Sequence, residues 1–266
     1  MNLIRKLFQT TFQQAEEQLQ LNSPSKGFDW KVFVILVWTA LGLTIIKYYG
    51  EPIFFAGVLQ NTGLKSAAEN LRNWADSENA SLRHLGWWVG TMLFVYLLVP
   101  MLLIKFLFHE QLSDYGWQMK GAFKDWWLYA VMLVVMLPLV IYFSSTTSFQ
   151  SRYPFYNPRH DQTVTPFLIW EIMYFAQFIG LEFFFRGFVT LGLKNRFGFY
   201  SIFIMTIPYC MIHFGKPMPE TFGAIAAGLV LGMLAMKSRS IFMGVLIHYS
   251  VAITMDLCAL WRKGMF

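Results

Sequence analysis

The sequence predicts an all-α membrane protein, a polytopic transmembrane helical bundle of about seven spans with an N-terminal amphipathic interfacial helix. The chain of 266 residues is 56% hydrophobic and only 14% charged, whereas a soluble domain carries roughly a quarter charged residues. Its apolar residues form several runs of the length that crosses a bilayer, about 18 residues or more. Trp and Tyr cluster at the ends of these runs, as in the aromatic belts of membrane proteins.

Residues 1–29 are expected to form the amphipathic segment. Apolar side chains recur at helical spacing from Leu3 to Leu19, opposite Arg5 and Glu16. Such a helix suits the membrane surface, but the same pattern fits a solvated helix that packs on the protein's own loops. No secretory signal peptide is expected, because no uninterrupted apolar core follows the basic residues.

Residues 30–266 form the predicted bundle. The candidate spans are 31–48, 86–108, 125–144, 165–190, 198–214, 220–236 and 240–260. The larger share of the 21 Lys and Arg residues falls on the side that carries the N-terminus, which favours a cytoplasmic N-terminus. We therefore expect a multi-pass integral membrane protein, in the plasma membrane if the cell is prokaryotic.

The net charge of +6 does not indicate nucleic-acid binding. The basic residues lie mostly at the ends of the apolar runs, where they contact lipid headgroups, and they form no clustered stripe. The lipid bilayer is therefore the expected partner, and nucleic acid is not. Cys210 and Cys258 lie in apolar runs without metal-type spacing, so they are interpreted as packing residues.

Ionisable residues are concentrated in the last four runs. They are Glu171, Glu182, Arg186, His213, His248 and Asp256. A charge at bilayer depth costs roughly 2.5–3.5 kcal/mol, so such side chains face the bundle interior and usually mark function. At 1.5 Å per helical residue, Glu182 lies ~17 Å, His213 ~21 Å and His248 ~14 Å from one membrane face. The sequence therefore predicts one site built by three helices.

Structural explanations compete with this interpretation. Arg186 follows Glu182 by four residues, so the two can form an ion pair that only lowers the cost of their burial. Glu171 lies on the same helical face but ~16 Å from Glu182. Glu220 suits the first turn of a helix through the helix dipole, and the role of Asp256 stays open.

Three stretches resemble the motifs of the CAAX-protease and bacteriocin-processing family of intramembrane peptidases. They are Leu181-Glu182-Phe183-Phe184-Phe185-Arg186-Gly187 against Glu-Glu-x-x-x-Arg, Tyr209-x-x-x-His213 against Phe-x-x-x-His, and His248-x-x-x-Ala252 against His-x-x-x-Asn. The segment 112–117 also resembles the family's pre-helix element, and the resemblance covers roughly residues 110–260. Leu181 and Ala252 depart strongly from the pattern, because the family carries its water-activating carboxylate and an oxyanion-site Asn there, and Tyr209 in place of Phe is a mild departure.

The resemblance implies a CAAX-type endopeptidase that cleaves membrane-associated, prenylated or leader peptides with a Glu-activated water. Glu182 would serve as the base, His213 and His248 would position the water and stabilise the oxyanion, and Arg186 would hold Glu182 in place. The alternative is a catalytically degenerate relative that binds a peptide or membrane protein in immunity or regulation. A proton-coupled carrier is a third class.

No cofactor is expected. A glutamate and two histidines also suit a zinc ion with an open coordination position. Zinc at Glu182, His213 and His248 is not favoured, however, because Arg186 competes for Glu182 and no third clear ligand is present.

Overall fold

A computed structural model describes residues 9–14, 16–17, 27–77, 79–157 and 164–265. This part of the chain is mainly helical and contains no β-strand. In chain order its main helices are α1 (Trp30–Tyr49), α2 (Pro52–Asn61), α3 (Lys65–Ala75), α4 (Ala80–Leu107), α5 (Trp126–Phe143), α6 (Thr147–Arg152), α7 (Thr165–Phe197), α8 (Tyr200–Met211), α9 (Met218–Ser238) and α10 (Phe242–Arg262). Six of them, α1, α4, α5, α7, α9 and α10, are long and apolar enough to cross a bilayer. The polytopic helical bundle is thus confirmed.

The fifth predicted span, 198–214, is shorter in the structure than expected. Helix α8 covers only Tyr200–Met211, which is about 18 Å of helix against a hydrocarbon core of about 30 Å. His213 therefore lies in the turn beyond α8, and the chain re-enters the bundle at Met218.

The predicted N-terminal segment lies largely outside the described residues. Residues 9–14 and 16–17 are helical. Phe12 packs edge-on against Phe199, with ring centroids 5.7 Å apart. This end of the chain therefore contacts the turn between α7 and α8.

Helix α7 is the central element of the bundle. Its first half packs against α4 and α10, and its second half packs against α8 and α9. Phe183, Phe184 and Phe185 are fully buried, and Tyr96 of α4 stacks on Phe184 with ring centroids 4.3 Å apart. The helix becomes π-helical over Phe183–Leu191, a widening that often occurs at functional sites.

The outer helices expose apolar side chains on the outer surface of the bundle. Val134 and Tyr142 of α5 and Phe33 and Leu41 of α1 are all exposed. In water this surface would be unfavourable, whereas hydrocarbon chains cover it without that cost. The arrangement is that of an integral, multi-pass membrane protein.

A short turn before α5 fixes the relative position of α7 and α10. Residues Leu112–Tyr115 form a 3₁₀ turn that ends at Gly116, whose φ of +80° favours glycine. The Gly116 carbonyl accepts a hydrogen bond of 3.1 Å from the backbone N–H of Ile241. A Cβ at Gly187 would lie 2.5 Å from the Tyr115 carbonyl. The turn thus holds the start of α10 against α7, two helical turns before His248.

Candidate active site

Glu182 is the last α-helical residue of α7 before the π-helical stretch. Its side chain and that of Arg186 are 0% exposed. Glu182 Oε1 and Arg186 Nη1 are 3.1 Å apart, which is the expected intrahelical pair. Arg186 also lies over the Tyr209 ring, 4.1 Å from its centroid, and its Nη2 is 3.5 Å from the Ala227 carbonyl. The guanidinium thus neutralises Glu182 and joins α7 to α8 and α9.

The same carboxylate oxygen reaches across to α10. Glu182 Oε1 lies 2.9 Å from His248 Nδ1. Glu182 Oε2 has no hydrogen-bond partner among the described residues, and it lies against α10, because a Cβ at Gly244 would be 2.5 Å from it. Gly244 precedes His248 by one helical turn. The glycine therefore lets the carboxylate approach α10 closely enough to bond the imidazole.

The partner of His248 Nδ1 decides which ring nitrogen carries the proton. A carboxylate paired with a guanidinium can only accept hydrogen bonds, so we assign a proton to His248 Nδ1, which donates it to Glu182. His248 Nε2 is then an acceptor, and the Tyr209 hydroxyl lies 3.3 Å from it. Glu182, His248 and Tyr209 form one hydrogen-bonded row that crosses three helices.

His213 joins this group through Tyr209. Its ring packs edge-on against the Tyr209 ring with centroids 4.9 Å apart. Its Nδ1 lies 2.9 Å from the Tyr209 carbonyl, which can only accept, so His213 Nδ1 carries a proton too. The Thr221 hydroxyl of α9 donates to the His213 carbonyl at 2.9 Å and fixes the turn.

The two strong departures from the family motif, Leu181 and Ala252, are both buried and apolar. Leu181 is 5% exposed and packs in the aromatic core with Phe183 and Phe184. Ala252 is 3% exposed and packs beside Phe178. No polar group replaces the missing carboxylate or amide at these two positions.

A second buried acidic group lies farther along α7 and α10. Asp256 accepts a hydrogen bond of 2.9 Å from Trp170 Nε1, and Glu171 accepts one of 3.2 Å from the Tyr249 hydroxyl. The structure thus separates these two residues from the group around Glu182 and uses them to join α7 to α10.

Glu220 accepts hydrogen bonds in the first turn of α9. Lys216 Nζ donates to it at 2.7 Å and the Tyr153 hydroxyl donates at 2.6 Å. Burial, with the neighbouring Glu220 carboxylate, raises the pKa of Tyr153 well above its usual value, so this phenol stays a donor. Glu220 therefore ties the connection that follows α6 to α9, a structural role that does not involve His213 directly.

Of the predicted site residues, Glu182, Arg186 and His248 are in direct contact, and His213 joins them through Tyr209. Among the described residues no three His, Cys, Asp or Glu side chains gather as a metal site, and zinc independence stays a prediction. Sequence reasoning named Tyr209 only as the motif aromatic before His213, and it did not single out Gly244. The available signals were their positions four residues before His213 and four before His248.

Comparison with protein families gives a match in this region. Residues 163–254 match the family model described as Type II CAAX prenyl endopeptidase Rce1-like. The matched stretch contains Glu182, Arg186, Tyr209, His213 and His248. Searches among curated proteins and among solved structures gave no match. Over residues 163–254, about a third of its length, the chain is therefore similar to the Rce1-like CAAX prenyl endopeptidases.

Proposed function

We propose that the protein is a CAAX-type intramembrane endopeptidase in which Glu182 and His248 together activate water. The contact of 2.9 Å between Glu182 Oε1 and His248 Nδ1 carries this proposal. It lies inside the family-matched region and leaves His248 Nε2 as a basic lone pair. The substrates would be prenylated or leader peptides, or membrane proteins, because the site lies between membrane-spanning helices.

Exposure favours His248 as the group that touches water. The side chain of Glu182 is 0% exposed, whereas that of His248 is 17% exposed. His248 Nε2 would take a proton from water as the water oxygen attacks the peptide carbonyl carbon. Glu182 would hold the imidazole in the required tautomer and stabilise the imidazolium, as a carboxylate does in a Ser-His-Asp triad. Nε2–H would then protonate the leaving amine as the C–N bond breaks.

This mechanism assigns Glu182 a different role from that implied by the family motif. With Leu181 in place of the first motif carboxylate, Glu182 would have to activate water itself, yet its Oε1 is engaged by Arg186 and His248 and its Oε2 is buried against Gly244, so the side chain would have to move to reach water. A carboxylate that orients a histidine needs no such movement. The pair therefore supports water activation with the side chains in their present positions.

The test uses purified protein reconstituted in liposomes with fluorogenic prenylated and leader-type peptides. Glu182→Gln and His248→Ala should each lower kcat by about 10²–10⁴-fold. The matched controls are Glu51→Gln and His84→Ala, because Glu51 Oε1 and His84 Nδ1 form a pair of the same 2.9 Å length on the surface. The controls should change kcat by less than about twofold. That change is far smaller than the loss expected when a catalytic base is removed. Equal losses in both sets would contradict the proposal.

Burial of Leu181 and Ala252 supports a second candidate, a degenerate member that binds membrane peptides without cleaving them. In that case the wild-type protein would be inert towards every peptide offered. It would still bind one of them, and Glu182→Gln would leave that affinity unchanged. Cross-linking of a photoactivatable peptide to the wild-type and variant proteins in liposomes separates the two candidates.

A further inference from the structure

Peptide hydrolysis at this site needs a hydrogen-bond donor for the oxyanion, and neither imidazole supplies one in the observed arrangement. Both Nδ1–H groups are already donated, that of His248 to Glu182 and that of His213 to the Tyr209 carbonyl. Both Nε2 atoms are therefore acceptors while the rings are neutral. A negative oxygen that develops between these rings needs a different donor.

We propose that the Tyr209 hydroxyl is this oxyanion donor, an inference that rests on the proposed peptidase function. The hydroxyl is buried at the site, 3.3 Å from His248 Nε2. That contact is longer than a typical hydrogen bond from a hydroxyl group. An entering water can therefore take the place of the hydroxyl beside Nε2 and leave the O–H free to turn towards the substrate.

Packing holds the Tyr209 ring in one position. Phe185 of α7 packs edge-on against it with ring centroids 5.3 Å apart, and His213, in the turn after α8, packs edge-on at 4.9 Å. Gly228 of α9 makes room for it, because a Cβ there would lie 3.3 Å from Tyr209 Cδ1. A donor fixed in this way needs little reorganisation when charge develops, which is the condition for a large catalytic contribution.

The charge next to the ring also favours donation. The Arg186 guanidinium lies 4.1 Å from the ring centroid. A cation over the face of a phenol withdraws electron density and makes its O–H a stronger donor. Arg186 would thus have two effects, neutralising Glu182 and polarising Tyr209.

The step balances without a further reactant. The water oxygen bonds to the carbonyl carbon, a water proton moves to His248 Nε2, and the carbonyl π electrons move to the oxygen. That oxygen accepts a hydrogen bond from Tyr209, whose proton is not transferred. When the tetrahedral carbon collapses, the C–N bond breaks, the amine takes the proton from Nε2, and the hydrogen bond to Tyr209 weakens.

Ala252 provides the site for a rescue experiment. It follows His248 by four residues, so it occupies the same face of α10 one turn away, and it is buried. An alanine there offers no side-chain donor. Asparagine at this position would present an amide N–H beside the imidazole and could replace the phenol.

The experiment measures kcat and KM of the reconstituted wild type, Tyr209→Phe, and Tyr209→Phe combined with Ala252→Asn. Phenylalanine keeps the ring contacts and removes only the hydroxyl. We expect kcat to fall by about 10²–10³-fold, the usual effect of losing one oxyanion donor, with KM little changed. The double variant should recover at least tenfold of that loss. Tyr96→Phe, a change in a buried tyrosine that stacks on Phe184, should leave kcat unchanged.

The outcomes distinguish a failure of the proposed Tyr209 role from a failure of the proposed peptidase function. An active wild type whose kcat is unchanged by Tyr209→Phe would overturn the donor role and leave the peptidase proposal intact. A loss that Ala252→Asn does not recover, accompanied by a lower Tm, would assign Tyr209 a structural role instead. A wild type inert towards all peptides would overturn both.

Discussion

Two glutamate–histidine pairs in this protein have the same oxygen–nitrogen distance and different surroundings. Glu182 with His248 and Glu51 with His84 both join Oε1 to Nδ1 at 2.9 Å. Glu182 is 0% exposed and bonds to a guanidinium as well, whereas Glu51 is 53% exposed. An exposed pair contributes about 0–1 kcal/mol, while the members of a buried pair depend on each other for compensation of lost hydration. The same pair of atoms therefore forms a surface contact at Glu51 and part of the buried candidate site at Glu182.

The largest expected effect on stability follows from breaking the buried pair. Arg186→Met removes the cation that compensates Glu182, and we expect the free energy of unfolding to fall by about 3–5 kcal/mol. Thermal unfolding in detergent measures the change. Arg83→Met is the control, because Arg83 lies over Trp74 at the surface and such contacts contribute only about 0.5–1 kcal/mol. Equal shifts in the two variants would show that burial of Arg186 has no special consequence.

Asp256, a second buried carboxylate, tests whether stability generally depends on keeping the partners of buried polar groups. Asp256→Ala leaves the Trp170 N–H without its acceptor, and we expect a loss of about 1–3 kcal/mol in stability. Asp256→Asn keeps an acceptor oxygen and should lose less than the alanine variant. Cleavage per folded molecule should be unaffected by either change, because Asp256 lies two helical turns from His248. A selective loss of kcat in both variants would instead draw Asp256 into the active site.

Two glycines should respond to the same substitution with opposite signs. Gly244→Ala would place a Cβ 2.5 Å from Glu182 Oε2 and push the carboxylate away from His248, so stability should fall by about 1–3 kcal/mol. We also expect kcat to fall at least tenfold. Gly223→Ala meets nothing within 4 Å and should stabilise α9 by up to ~1 kcal/mol. Improved stability and full activity in Gly244→Ala would mean that Glu182 does not depend on this close approach.

Sequence reasoning predicted the helical bundle because long apolar runs and buried charges leave few alternatives in a membrane. It also placed Glu182 and Arg186 on one helical face, since that relation is local. The contacts of Tyr209 and Gly244 depend on how α8 and α10 rotate against α7, and no spacing within one helix contains that information. The short α8 was missed for a related reason: the apolar residues Ile212 and Phe214 continue the run although the helix ends at Met211.

Glu171 and Asp256 show the same limit. Both were visible as intramembrane carboxylates, yet their partners Tyr249 and Trp170 lie on the neighbouring helix in each case. A residue's depth can be counted along its own helix, whereas its partner depends on the packing of two. Depth therefore identified the polar residues, and only the structure divided them into two groups.

The smallest expected effect is that of removing zinc. An imidazole and a carboxylate are half of a zinc site, but at Glu182 the oxygen that faces His248 also faces Arg186. A metal there would have to displace a guanidinium from a buried carboxylate and leave that charge uncompensated. We therefore expect chelator treatment to change neither the Tm nor kcat, and elemental analysis to find well under one zinc per chain. About one zinc per chain, lost in His213→Ala but retained in His84→Ala, would reverse this expectation and make Arg186 a competitor that the metal displaces.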